Sequence, residues 1–351
     1  MGKKGTAAYR YDLVSKYRAM LMGCAIVGVI LCHWKLTMTE HNLRPNHLAI
    51  ILNHFGAVGL EVFMFVSGFG LYYSYKKHRP GYGDFMKKRV LRILPDYLVI
   101  GGITWIITDL LIDKVGIARF LEDITFVSMF TRGSLRYWYV FAIIVYYALF
   151  PLVFTVIEKK HKHPAAEFCV FLVIFWLVTA VLHRIMPNYD TLDLMIERFP
   201  IFTLGAICGK YAMNGDKISR PTLWIITVAG LGLAAAMLAF SPFKAFVKSI
   251  HYGYYFYRQW FGLAVIIAEI AVMEYMEKHG PGGVYQALLK IFVPLGGVTL
   301  EIYLFHQSYR SLFNQPYTAF GYFGGVVILP IISSFAYNWI KTHAVKKDKI
   351  A

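Results

Sequence analysis

The sequence predicts an all-α polytopic membrane protein, a bundle of about ten transmembrane helices. Three observations lead there. Apolar runs of about twenty residues, the length a helix needs to cross a bilayer, recur along the whole chain. The 351 residues are 58% hydrophobic and 16% charged, against roughly 45–50% and about 25% in soluble domains, and mean hydropathy is +0.51. Basic residues gather in alternate short loops between the apolar runs.

The spans are expected near residues 18–35, 48–75, 93–112, 136–157, 166–185, 199–213, 222–241, 254–276, 287–307 and 319–340. The second is long and the sixth short. No β-barrel alternation and no internal repeat is visible. Residues 1–17 form an N-terminal segment, 18–341 the transmembrane domain and 342–351 a C-terminal tail.

Charge orients the bundle. Lys3, Lys4, Arg10, Lys16 and Arg18 precede the first span. Lys76, Lys77, Arg79, Lys87, Lys88 and Arg89 fill the second loop, and Lys159, Lys160 and Lys162 the fourth. Lys210, Lys217 and Arg220 follow in the sixth, and Lys341, Lys346, Lys347 and Lys349 near the C-terminus. The intervening loops are mixed or acidic, as at Asp190, Asp193 and Glu197, except for Lys244, Lys248 and Arg258. Positive residues stay inside, so both termini are expected in the cytoplasm of a plasma-membrane protein, and an even span count requires the same. The net charge of +16 is then a topology signal, matched to anionic lipid and not to nucleic acid. The run after Arg18 is too long for a signal-peptide core and no A-x-A-like site follows it, so no cleavable signal is expected. Cys24, Cys32, Cys169 and Cys208 lie in apolar stretches with no C-x-x-C pair and read as small hydrophobes.

Against this apolar background the ionisable residues stand out. His33 closes the first span at its outer end. Histidine moves protons near neutral pH; beside Trp34 and Lys35 it also reads as an interface anchor. Glu61 lies well inside span two, where an acid faces the protein interior or water and needs a partner. Ser67 and Gly68 follow it, either beside a ligand path or as the small residues that let helices pack closely.

Span three opens with Lys87, Lys88, Arg89 and Arg92; the two arginines are three apart and share a helix face. Guanidinium groups grip phosphate bidentately and lysines add point charge. A phosphate-rich cytoplasmic ligand such as a coenzyme A thioester fits; anionic head groups are the other reading. In span nine Tyr303, His306 and Gln307 line one face, while Glu301, five residues before His306, points away from it. Tyr137, Trp138 and Tyr139 open span four as a belt of aromatics, with Trp138 the candidate for contact with a substrate. There is no G-x-S-x-G, H-E-x-x-H, Walker A or Rossmann fingerprint, and no metal set.

The order of four segments carries a resemblance. A histidine closes span one; F-x-F-x-S-G-F runs from Phe63 to Phe69; R-x-x-R-I-x-P runs from Arg89 to Pro95; Y-L-x-H runs from Tyr303 to His306. This resembles the acyltransferase 3 family of integral-membrane acyltransferases across most of the chain. Many members carry an arginine eleven residues before the span-one histidine. Here that position is Met22, and the nearest basic residue is Arg18, one turn earlier. No segment corresponds to the extracytoplasmic hydrolase-like domain that some members append.

The resemblance implies an O-acyltransferase. It would take an acyl group, often acetyl, from cytoplasmic acyl-CoA and place it on a hydroxyl of a glycan or other cell-envelope molecule. Lys87, Lys88, Arg89 and Arg92 would hold the donor's phosphates, with Ser67 and Gly68 along its path. His33 would be the general base, Glu61 or Glu301 would orient it, and His306 and Tyr303 would bind the acceptor or steady the oxyanion. Direct transfer, an acyl-histidine and a homo-oligomeric state all stay open. Two other functions compete: a secondary transporter of a surface polymer or small solute with a proton relay of acids and histidines, and a haem protein ligated by His33 and His306.

Overall fold

The computed structural model describes residues 9–159, 164–186, 188–280, 282–313 and 316–347; Lys3, Lys4, Lys160, Lys162 and Lys349 lie outside them. The chain is an all-α membrane bundle. Among the described residues eight helical stretches are long and apolar enough to cross a membrane, and nine if a bent pair is counted as one span.

The first span is α1, Arg18–Glu40. The second divides at Ala57–Val58 into α2, His47–Gly56, and α3, Gly59–His78, a combined stretch of 32 residues. Asn46 caps α2, its side chain accepting from the Ala49 amide at 2.8 Å. The third span, α4, runs over Tyr82–Ile112 and begins well before residue 93, so Arg89 and Arg92 sit within the helix and not ahead of it. Then come α5, Trp138–Glu158; α6, Pro164–Ile185; α7, Phe199–Asn214; α8, Arg220–Ala239; and α9, Gly253–His279. At 16 residues α7 is the short sixth segment of the sequence reading and falls below the length of a full span.

The ninth span is not the continuous helix expected from the sequence. It breaks at Val298 into α10, Gly283–Gly297, and α11, Thr299–Leu312, bent by 76°. Pro294 withholds a backbone N–H, and Gly296 and Gly297 hold helix weakly. The last span, α12, covers Gly321–His343. Outside the bundle, β1 (Tyr9–Arg10) pairs antiparallel with β2 (Lys217–Ile218), tying the chain start to the α7–α8 loop.

Small residues set the helix spacing, as expected where lipid supplies no hydrophobic drive between helices. A Cβ on Gly56 would stand 2.2 Å from the Gly28 carbonyl oxygen, and one on Gly296 would stand 1.9 Å from that of Ala19. Thus α1 is pressed against α2 on one side and α10 on the other. A Cβ on Gly68 would stand 2.0 Å from the Phe202 carbonyl oxygen, so Gly68 is a contact between α3 and α7.

Candidate active site

His33 and His306 meet at one end of the bundle. They lie on α1 and α11, 273 residues apart in sequence, with ring centroids 5.1 Å apart. His306 Nδ1 is 2.7 Å from the Val326 carbonyl oxygen, and a carbonyl only accepts. His306 therefore carries its proton on Nδ1 and accepts at Nε2, where His33 Nδ1–H donates at 3.1 Å. This network assigns the His33 tautomer: Nδ1 is protonated, and Nε2 holds a free lone pair.

Beyond the pair lies a polar cover. Arg310 Nε donates to Thr37 Oγ1 at 2.8 Å, Nη1 donates to Gln307 Oε1 at 3.1 Å, and Nη2 donates to the Glu40 carboxylate. Thr37 is one turn past His33, and Arg310 one turn past His306. Trp34 is no bare interface anchor: it stacks on Tyr322 and donates from Nε1 to the Tyr317 carbonyl oxygen at 3.0 Å.

On the other side of the pair a cavity of about 890 Å³ runs toward the basic end of the bundle. Arg18, Lys88, Arg89 and Arg92 line that end. Arg89 Nη2 donates to Ser74 Oγ at 2.8 Å, and its buried Nε has no hydrogen-bond partner among the described residues. Arg18, Arg92 and Lys88 make no ion pair among the described residues. The Arg18 guanidinium lies 3.9 Å from where a Cβ on Gly70 would stand. Met22 lines the same cavity one turn further along α1. Opposite, Lys341 Nζ donates to Asp96 Oδ2 at 2.9 Å and to Glu301 Oε1 at 3.0 Å; all three residues line the wall.

Toward the histidines the cavity is lined by Val29, Leu60, Phe63, Tyr139 and Tyr303. Val29 is one turn before His33 and Tyr303 is one turn before His306. Helical side chains lean toward the N-terminal end of their helix, so both imidazoles lean back toward this end. From Arg18 to His33 the α1 axis rises roughly 22 Å.

The sequence-predicted residues divide accordingly. Ser67, Lys88, Arg89, Arg92, Glu301 and Tyr303 line the cavity; Lys87 is exposed outside it. Gly68 is absent from the lining because α7 occupies the space over it. Glu61 has no hydrogen bond to His33: its carboxylate meets Arg258 at 3.3 and 3.2 Å and Arg198 Nε at 3.1 Å, all three side chains fully or nearly buried. Trp138 packs on the same group, with the Arg198 guanidinium 5.6 Å from its ring centroid. Glu301 turns to α12 and not to the histidines, in line with its place off the His306 face.

Sequence reasoning missed Arg198, Thr37 and Arg310. The signal for Arg198 was Glu61 itself, since an intramembrane acid needs a cation. Arg258, the exception to the charge pattern, is that group's second cation and not a free outer charge.

Neither the curated proteins nor the solved structures compared with this chain yield a match. A family model described as an acyltransferase domain matches residues 21–339. The matched stretch takes in both histidines, the arginines of α4 and the whole far end of the cavity, and the chain belongs to the acyltransferase 3 family of multi-pass membrane acyltransferases.

Proposed function

We propose that the protein moves an acyl group, acetyl or a near homologue, from cytoplasmic acyl-CoA to a hydroxyl of a glycan or other cell-envelope molecule. One observation carries the reading: a single cavity has unpaired cations at one end and, one turn beyond the other, a histidine whose free lone pair is assigned by its neighbour.

Arg18, Lys88, Arg89 and Arg92 hold the phosphates of the donor. Several cations without an ion pair on one cavity wall favour a polyanionic ligand, which guanidiniums grip bidentately. The pantetheine arm runs past Ser67 toward the far end. The acceptor hydroxyl enters from the opposite face, beside Thr37 and Gln307. His33 Nε2 takes the hydroxyl proton as its oxygen attacks the thioester carbonyl. The tetrahedral intermediate expels the CoA thiolate, which takes the proton back from the imidazolium, leaving an ester and free thiol. His306 holds His33 in the working tautomer throughout. An acyl-histidine route uses the same lone pair and differs in accumulating acyl-enzyme before acceptor is added.

The basic residues at the donor end support a cytoplasmic placement of that end and of both termini in the plasma membrane. The break at Val298 is a feature also used by secondary transporters, which carry such breaks in both of two matched halves; α10 and α11 are the only bent pair among the described residues. Direct hydrogen bonding of His33 to His306 leaves no room for a haem between them.

The test is turnover of radiolabelled acetyl-CoA by purified protein in lipid nanodiscs, as hydrolysis or transfer. His33→Ala is expected to lower it roughly 10²–10⁴-fold. Unchanged turnover overturns the assignment of the base.

A further inference from the structure

We propose that the aromatic trio Phe63, Tyr139 and Tyr303 limits the length of the acyl group, excluding medium and long chains. The inference rests on the reading that this cavity takes acyl-CoA.

The three rings come from three helices, α3, α5 and α11, and all line the cavity. They form a continuous row: the Phe63 and Tyr139 centroids are 6.0 Å apart, and those of Tyr139 and Tyr303 5.5 Å apart. The row stands at the histidine end, because Tyr303 is one turn before His306 on the same helix face. A thioester carbonyl brought to His33 must have its acyl tail against these rings.

The helix positions next to the row are closely packed. Val140 beside Tyr139 is fully buried, as are Met64 beside Phe63 and Ile302 beside Tyr303. Tyr303 is anchored as well, its hydroxyl donating to the Arg136 carbonyl oxygen at 3.3 Å. Close-packed rings on three helices do not part for extra methylenes without displacing their neighbours. The wall beside α1, at Val29, is equally tight, with 1% of that residue exposed. A small acyl group fits at the end of the arm; each added carbon must open the row.

The experiment measures kcat/KM of the purified protein in nanodiscs with acetyl-, butyryl- and octanoyl-CoA. A one-methylene mismatch in an apolar pocket is worth roughly 10-fold or more, so wild type is expected to favour acetyl-CoA over octanoyl-CoA by at least about 100-fold. Phe63→Ala is expected to raise the octanoyl-to-acetyl ratio at least about 10-fold. Phe63→Leu, a milder change that keeps most of the packing, is expected to raise it less. A general loss of packing lowers every substrate together and leaves this ratio where it was. Wild type that uses octanoyl-CoA as well as acetyl-CoA overturns the proposal without any variant, and so does an unchanged ratio in the folded variants. Failure of the underlying reading looks different: wild type neither binds CoA by calorimetry nor turns over any of the three thioesters.

Discussion

His306 accepts the Nδ1 proton of His33 across 3.1 Å while giving its own Nδ1 proton to the Val326 carbonyl. Two consequences follow for His306 variants. His306→Ala leaves His33 free to protonate either nitrogen, so base catalysis is expected to weaken roughly 10–100-fold, less than on loss of His33 itself. His306→Gln restores an acceptor near Nε2 and is expected to recover part of that loss. Equal activity of the alanine variant and wild type, measured as kcat with acetyl-CoA, would show that the pair does not set the tautomer.

We propose that Arg18 takes the place of the arginine missing at Met22. Both positions lie on the cavity face of α1, one turn apart, and the longer reach of arginine brings its charge among those of Arg89 and Arg92. Each charge-assisted contact is worth about 1.5–3 kcal/mol, so Arg18→Ala is expected to weaken CoA binding roughly 10–100-fold by calorimetry, as is Arg92→Ala. Arg18→Ala together with Arg89→Ala should bind more weakly than either single variant. Retained wild-type affinity in Arg18→Ala would return the missing arginine's role to another segment.

The bundle was legible in the sequence because its physics is one-dimensional: apolar length gives the span. Arg89 and Arg92 were legible for the same reason, since a helical repeat puts them on one face. The pairing of His33 with His306 was not, because it depends on which helices cross, and that is decided by close approaches such as Gly28 to Gly56 and Gly296 to Ala19. The sequence placed both histidines at helix ends expected on one membrane face and went no further. Gly68 shows the opposite failure. It sits beside Ser67 in a ligand-like motif, but the two point to different surfaces, Ser67 into the cavity and Gly68 against α7.

Glu61 tests the division between scaffold and site. Its carboxylate is the shared counter-ion of Arg198 and Arg258, and removing it strands two buried guanidiniums. Loss of one partner from a buried pair costs about 3–5 kcal/mol. Glu61→Ala is expected to lower thermal stability in detergent sharply, and Arg258→Ala to do so nearly as much. With both changes in one chain the loss should fall short of the sum, because each removes the other's unpaired charge. For protein that remains folded, specific activity should exceed that of His33→Ala. A stable Glu61→Ala protein as inactive as His33→Ala would move Glu61 into the chemistry.

Glu197 carries the pH dependence outside the spans. It lies between α6 and α7, its Oε1 accepting from Tyr189 OH at 2.8 Å with His251 Nε2 3.6 Å away. Burial pushes its pKa up from 4.5 to about 7. A carboxyl raised in the folded state holds its proton there and releases it when unfolded, so its contribution to stability is fully present below pH 4.5 and is lost as pH rises to about 7. His251 works the other way: burial lowers its pKa from 6.5, so its contribution is present above that pH and lost below it. Comparing wild type with Glu197→Gln isolates the carboxyl, because glutamine keeps the acceptor for Tyr189 and cannot ionise. Melting temperatures of the two proteins should nearly coincide at pH 5, and the variant should melt higher at pH 8. If Glu197 is instead ionised and paired with a charged His251 near neutrality, the variant will be the less stable protein between pH 6 and 7, and the assignment of a neutral buried carboxyl falls.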